Sequence, residues 1–370
     1  MAIGSPQLWV LWVPGAVKAW PLFESRSKGA SLFLTWRPDL PKFALDFLTD
    51  TETPRRFRQL SLVGTHEELG RLVGSLDSDS VSVTSSIWIH DPCEETHSDE
   101  NGEHLTHFFS LPFPKLSKLE LTNPMPNPSS SIFATSNLTS LKLYLGYEDR
   151  RRYTRFEFSQ ILRQHPNLRE LDLGGGAVSV AGTSGALVPV FLPQLADLKL
   201  CGKDAIIVGF MELVDMSSPL HNIAINFECT NTPTAARVNA VKQTLTTYYE
   251  CQRLEYPRKF DQLAVSPRRF IHDLIFNVGS CFTPPSRQVS NLRFRFDGAG
   301  NELAEQVIPL FPLKDIREFT AEGLKFATSS WRLILGKMEG LLHLQVTWLD
   351  IGPVLDALDF DGGGMYGEAT

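Results

Sequence analysis

The chain has little cysteine and no obvious way of pairing what it has. Its five cysteines, Cys93, Cys201, Cys229, Cys251 and Cys281, are scattered, odd in number and form no C-x-x-C pair. That argues against a disulfide framework and fits a reducing, intracellular compartment. Long hydrophobic runs are also missing. No apolar stretch approaches the ~20 residues of a membrane-spanning helix, so no membrane partner is expected. The opening MAIGSPQLWVLWVPGAV holds a short apolar stretch, but no basic segment precedes it and Pro6 and Pro14 interrupt it. No signal peptide is expected from such a start. Positive charge is in deficit: 35 Lys+Arg against 42 Asp+Glu leave a formal net charge of −7. That is the wrong sign for a phosphate-binding surface, so nucleic acid is not the expected partner.

Catalytic signatures are absent too. Gly174-Gly175-Gly176 follows a strand pattern, but neither G-x-x-x-x-G-K-[ST] nor G-x-G-x-x-G completes it. It reads as a flexible loop. Thr183-Ser184-Gly185 fails the G-x-S-x-G nucleophile pattern. Residues 90–107 gather His90, Cys93, His97, His104 and His107 in a polar, acidic stretch. No familiar zinc spacing appears among them, and the stretch reads as a solvated loop or disordered insertion. No catalytic residue, cofactor or metal is expected, and the chain does not read as an enzyme.

What the chain does have is a repeat. Leu168-x-x-Leu171-x-Leu173 and Leu195-x-x-Leu198-x-Leu200 are two copies of one pattern. Further clean copies are Leu116/Leu119/Leu121, Leu138/Leu141/Leu143 and Leu220/Ile223/Ile225. Looser ones are Phe57/Leu60/Leu62, Phe260/Leu263/Val265, Ile316/Phe319/Ala321 and Leu341/Leu344/Val346, with degenerate strands at Ser86–Ile89 and Leu292–Phe296. From Leu121 the clean copies end 22, 30, 27 and 25 residues apart. In each, the last two apolar residues lie two apart and so share one face of a strand. Periods of about 20–29 residues are those of leucine-rich repeats, whose strands bury their apolar faces only by stacking on copies of themselves. The expected fold is α/β: an irregular leucine-rich-repeat solenoid with a parallel concave sheet and helices or loops on the convex side.

Helical spacing between the strands supplies the convex side. Helices are expected over 67–76, 156–164, 204–214, 233–249, 301–310, 329–338 and 353–358. The segment 233–249 reads as amphipathic through Ala236, Val238, Val241, Leu245 and Tyr248. Trp331, Leu333, Ile334 and Leu335 carry the next to last helix, and the last one caps the end of the stack. Around 260–276 two strands are expected with Pro267 between them. Arg150–Arg152 with Arg155, and Arg253, Arg258, Lys259, Arg268 and Arg269, read as solvated basic surface. Residues 361–370 read as a disordered tail.

Two phrases carry a family resemblance. Gly4-Ser5-Pro6-Gln7-Leu8-Trp9 and Arg26-Ser27-Lys28-Gly29-Ala30-Ser31-Leu32-Phe33-Leu34, followed by irregular repeats, resemble the F-box/leucine-rich-repeat proteins abundant in mushroom-forming fungi. In that family the first phrase closes an F-box and the second opens the repeats. The resemblance implies that residues 1–22 are the C-terminal remnant of an F-box-like module, with Pro6, Leu8 and Trp9 the remnant of its adaptor-binding surface. Residues 23–360 would be the solenoid and 90–107 its polar insertion. The F-box helices that grip a Skp-type adaptor precede the first phrase in the family and are not found here.

In such a solenoid partners bind the concave sheet, so the outward strand positions are the candidate site. They are Trp88; Lys118 and Glu120; Ser140, Lys142 and Tyr144; then Glu170 and Asp172. Further along come Asp197 and Lys199; Asn222, Ala224 and Asn226; Arg293 and Arg295; Glu318 and Thr320; and His343, Gln345 and Thr347. The row runs from lysines through acids to arginines, with Trp88 as an aromatic anchor, and reads as a protein-recognition surface. By the resemblance, the bound protein would be the substrate of a Skp–cullin–F-box ubiquitin ligase. The other expectation is a repeat-only binding or scaffold protein without a ligase.

Overall fold

The computed structural model describes residues 7–11, 31–36, 57–74, 76–92, 103–135, 137–145, 152–179, 188–215, 222–227, 234–251, 262–268, 273–279, 291–296, 301–347 and 351–358. The chain is mixed α/β and divides into two compact units, Met1–Leu195 and Ala196–Thr370. Pro6, Cys93, His97, Arg150, Arg151, Thr183 to Gly185, most of residues 253–269 and residues 361–370 lie outside the described residues.

The first unit is built on a seven-stranded parallel sheet in sequence order. Its strands are β1 (Gln7–Leu11), β2 (Ser31–Trp36), β3 (Phe57–Val63), β4 (Ser86–His90), β5 (Lys118–Thr122), β6 (Ser140–Tyr144) and β7 (Glu170–Gly174). From β3 onward the register is unbroken, so residues at equivalent pattern positions lie side by side: Leu60, Ile87, Leu119, Leu141 and Leu171 form one row. All five are buried, as are Leu62, Ile89, Leu121, Leu143 and Leu173 beside them. Each such side chain contributes about 2 kcal/mol by leaving water. The period of the sequence thus becomes one continuous core along the sheet.

A second ladder, of hydroxyls, runs along the strand entrances. Ser85 Oγ donates to the Arg58 carbonyl at 3.1 Å, Ser117 Oγ to that of Ser85 at 3.0 Å, and Thr139 Oγ1 to that of Ser117 at 3.0 Å. Each occupies the residue just before a strand, where a short side chain hydrogen-bonds backbone readily. At the strand exits the backbone N–H of Gly64, Asp91, Asn123 and Leu145 each donates to the carbonyl of the next strand's last residue.

The connections cover the apolar face. Helix α1 (His66–Val73) opens on a capping box in which Glu68 N–H donates to Thr65 Oγ1 at 3.4 Å and Thr65 N–H donates to Glu68 Oε2 at 2.9 Å. Helix α2 (Glu103–Ser110) packs against it, burying Leu105, Phe108 and Phe109. This corrects the expected insertion over 90–107: His90 ends a strand, and 103–107 are helix. Three aromatics, Phe108, Phe109 and Phe113, supply the apolar face that the polar composition upstream hides. Helix α3 (Arg155–Arg163) has its own capping box, Thr154 with Glu157, and buries Phe158, Ile161 and Leu162 as expected. Tyr153 sits between Phe133 and Phe158 and donates its hydroxyl to the Pro126 carbonyl at 2.8 Å.

The expected flexible glycine loop is a structured turn. Gly174 ends β7, and Gly175 and Gly176 have φ of +64° and +79°. A Cβ at Gly175 would meet the Leu145 carbonyl oxygen at 1.5 Å. Only glycine fits that left-handed, close-packed position.

The second unit has a mixed sheet. Strands β8 (Asp197–Gly202), β9 (Asn222–Phe227), β10 (Gln262–Arg268), β11 (Asp273–Gly279), β12 (Asn291–Phe296), β13 (Glu318–Glu322) and β14 (His343–Thr347) pair in the order β8-β9-β12-β11-β10-β13-β14. The pairs β12–β11 and β11–β10 are antiparallel and the others parallel. The wholly parallel sheet expected here is therefore corrected: β10, β11 and β12 fold back on themselves, and β12 returns to lie beside β9. Pro267 stands within β10, not between strands.

Helices α4 (Asp204–Leu213) and α5 (Thr234–Cys251) pack together. The buried stripe of α5 is Arg237, Ala240, Val241, Thr244 and Leu245, while Ala236 is exposed. The expected stripe is rotated: Arg237 takes a buried position, and its charge acts on Asp204. Burial raises the Asp204 carboxyl above its ordinary range, and the Arg237 charge lowers it only in part. Helix α6 (Asn301–Val307) buries Leu303, Ala304 and Val307. Helix α7 (Thr328–Leu335) buries Trp331 and Ile334 but leaves Leu333 exposed. Trp331 packs 5.2 Å from Phe326 and 6.3 Å from Phe319. Helix α8 (Gly352–Leu358) packs against α7.

Candidate functional site

Strand alternation that buries one face turns the other outward. On β3 to β7 that outward face is a grid. Gln59, Ser86, Lys118, Ser140 and Glu170 form one row, and Ser61, Trp88, Glu120, Lys142 and Asp172 the next. Over these two rows lies a depression of about 280 Å³. It exists because Ser61, Ser86 and Ser140 are short, while Trp88, Lys118, Glu120, Lys142 and Glu170 rise around them.

Lys142 is the electrostatic centre. Its Nζ is 3.0 Å from Glu170 Oε1 and 3.9 Å from Glu120 Oε2. Burial lowers its pKa, but the hydrogen bond to Glu170 and the charges of Glu170, Glu120 and Asp172 outweigh that and leave it above the ordinary lysine value. Glu170 also accepts a hydrogen bond from Ser140 Oγ at 2.8 Å. Tyr144 hydrogen-bonds Asp172. Burial first, then that bond and the negative charges of Asp172, Glu120 and Glu170, push the phenol well up, so it stays a donor. The Trp88 indole stacks on the His90 ring, centroids 6.0 Å apart and 8° from parallel. Lys118 is exposed, with no ion-pair partner among the described residues.

Seven of the expected site residues therefore cluster in the first unit: Trp88, Lys118, Glu120, Ser140, Lys142, Tyr144 and Glu170. Asp172 belongs to the same network but is only 6% exposed, which corrects its expected place on the open surface. It hydrogen-bonds Tyr144, and its charge acts on Lys142. The second unit holds the rest. Lys199, Ala224 and Arg293 are in register on β8, β9 and β12, as are Asp197, Asn222 and Asn291. Glu318 and Thr320 pair with His343 and Gln345 on β13 and β14. The expected run from arginines to Glu318 is interrupted, because β11 and β10 stand between β12 and β13. Leu8 and Trp9 lie on β1, opposite Leu32 and Phe33 of β2.

The sequence pattern did not single out Gln59, Ser61 and Ser86, which line the depression. Their signal was available: Gln59 and Ser86 precede buried Leu60 and Ile87 at the offset that marks Lys118 and Ser140, and Ser61 follows Leu60 at the offset that marks Glu120 and Lys142. Among the described residues no group of His, Cys, Asp and Glu could hold a metal ion. No helix of the described residues is long and apolar enough to cross a membrane. The chain matches no protein-family model, and no curated protein is significantly similar to it.

Proposed function

We propose that this chain is a leucine-rich-repeat recognition module that binds a protein partner on the polar face of its strands and carries out no chemistry itself. The observation that carries the reading is the depression on β3 to β7, where a half-exposed tryptophan stands beside a network of charges fixed in place by strand register. Aromatic anchors beside polar groups of set geometry are the usual energetic centres of protein interfaces. The recurrence of the L-x-x-L-x-L pattern at periods of 22 to 30 residues supports the repeat class.

The Gly4–Trp9 and Arg26–Leu34 phrases support a narrower reading: the substrate-recognition subunit of a Skp–cullin–F-box ubiquitin ligase. A second reading, a binding or scaffold protein without a ligase, is favoured by one specific observation. Gln7–Leu11, the expected adaptor-module remnant, pairs with Ser31–Trp36 as the first strand of the sheet.

Affinity purification of the chain from its own cells, with mass spectrometry, tests both. Stoichiometric Skp-type adaptor and cullin peptides support the ligase reading. Another protein enriched without them supports the repeat-only binder. If Trp88→Ala with Lys142→Glu leaves every captured protein unchanged, the polar face is not the recognition surface.

A further inference from the structure

We propose that the depression beside Trp88 is a subsite for an arginine side chain presented by the partner protein. This rests on the recognition reading above and names the partner's chemistry. Three observations converge on it.

The first is charge. Glu120 and Glu170 line the depression with Lys118 and Lys142, and the buried Asp172 adds a third negative charge beside Lys142. Glu170 and Asp172 are occupied, by Lys142 with Ser140 and by Tyr144 respectively. Glu120 has only the 3.9 Å approach of Lys142. It is the acid left to meet an incoming cation.

The second is the indole. His90 covers one side of the Trp88 ring, and His90 does not line the depression. Ser86, two residues earlier on the same strand, does. The depression therefore lies on the side of Trp88 away from His90, among the short serines. A planar guanidinium stacks on an indole face and forks a carboxylate at its edge, which an ammonium cannot do as well.

The third is Ser61. It lines the depression beside the indole's strand and is 8% exposed. Its short side chain leaves room beside Trp88, and its hydroxyl can accept a guanidinium N–H. The volume of about 280 Å³ lies just under the ~300–1,000 Å³ of small-molecule sites, the size for one long side chain.

The full chain is screened against random dodecapeptides displayed on phage, and the selected peptides are measured as synthetic peptides. Arginine enriched at one position is expected. Replacing it by citrulline, equal in shape but neutral, should weaken binding by about tenfold or more, and replacing it by lysine by less. Glu120→Gln should weaken the arginine peptide by a similar factor and leave the citrulline peptide unchanged, while Trp88→Ala should weaken both and the arginine peptide more. Lys118→Ala removes a like charge at the rim and should tighten binding several-fold, roughly, an effect that misfolding cannot produce. Selected peptides that lack arginine yet depend on Trp88 overturn the arginine subsite and leave recognition by this face standing. Arginine peptides indifferent to Glu120→Gln and Lys118→Ala overturn the subsite as well. If no selected peptide depends on either Trp88 or Lys142, both the subsite and the recognition reading fall.

Discussion

Gly174 ends its strand directly against the ring of Tyr144: a Cβ there would lie 2.7 Å from the ring's Cδ1 carbon. The next residue is tighter still, with the Leu145 carbonyl oxygen 1.5 Å from where a Cβ would stand and φ at +64°. A side-chain ring can shift and a packed backbone cannot. Gly174→Ala should therefore cost about 1–3 kcal/mol, as overpacking does. Gly175→Ala should cost more, above about 3 kcal/mol, because left-handed strain adds to the backbone clash. Urea denaturation of the two variants gives the order. Equal losses would mean that the turn at 175 relaxes.

Lys142 neutralises carboxylates that the strand register forces together. Lys142→Met keeps the length of the side chain and removes its charge, leaving Glu120, Glu170 and Asp172 to repel one another. The expected loss is about 1 kcal/mol, kept small because the acids reach water. The Lys142→Met, Glu170→Gln double variant should regain part of the loss, because one of the mutually repelling charges is gone. A double-mutant cycle in low and high salt measures the coupling.

His165 makes the protein acid-sensitive. The side chain is fully buried, and neither ring nitrogen has a hydrogen-bond partner. Burial lowers its pKa from 6.5 to about 4; the Thr135 backbone nearby opposes this weakly, without hydrogen-bond geometry. The sign follows from proton binding. Between these two values the unfolded chain holds a proton that the folded chain does not, so stability rises with pH there and falls on acidification. The contribution is complete above about pH 6.5 and is lost progressively toward pH 4, about 3 kcal/mol in all at 1.36 kcal/mol per unit. Stability of His165→Leu, measured by denaturant melts from pH 7 to pH 4, should show a shallower acid loss by about that amount.

Asn123 holds two roles that different substitutions separate. Its φ is +75°, its backbone N–H donates to the Tyr144 carbonyl at 2.7 Å, and its side-chain amide donates to the buried Asp91 carbonyl. Asn123→Ala loses both the tolerance of left-handed backbone and the amide bond, about 2 kcal/mol together. Asn123→Gly keeps the first and loses only the second, so it should be the milder variant in thermal melts. The reverse order would mean that the Asp91 bond contributes little.

The core of the first unit could be read from the sequence because its signal is local and repeated. Leu116, Leu119 and Leu121 recur as Leu138, Leu141 and Leu143, and side-chain alternation then decides which face is buried. Helix α3 could be read for the same reason: Thr154 and Glu157 sit at capping-box spacing just before Phe158, Ile161 and Leu162. Helix α2 is not legible in the sequence because Glu103 to His107 look like the loop that precedes them, and only Phe108 and Phe109 reveal the buried side. The hydroxyl ladder of Ser85, Ser117 and Thr139 was visible in the sequence at a constant offset. It carries no hydropathy, so a search for apolar period passes over it.

The sequence by itself determined the period, the apolar triplets and hence which residues of β3 to β7 turn outward, because these follow from the two-residue repeat of a strand. Tertiary structure decided what the triplets could not. Whether a strand pairs parallel or antiparallel depends on long-range hydrogen bonds that leave no mark on alternation, so the fold-back of β10, β11 and β12 was hidden in a pattern that looked like another repeat. The interactions of Asp172 with Lys142 and Tyr144 reach across to the neighbouring strand. The depression itself is a difference in height between Trp88 and the serines around it, and side chains from separate strands acquire relative heights only once the register sets them side by side.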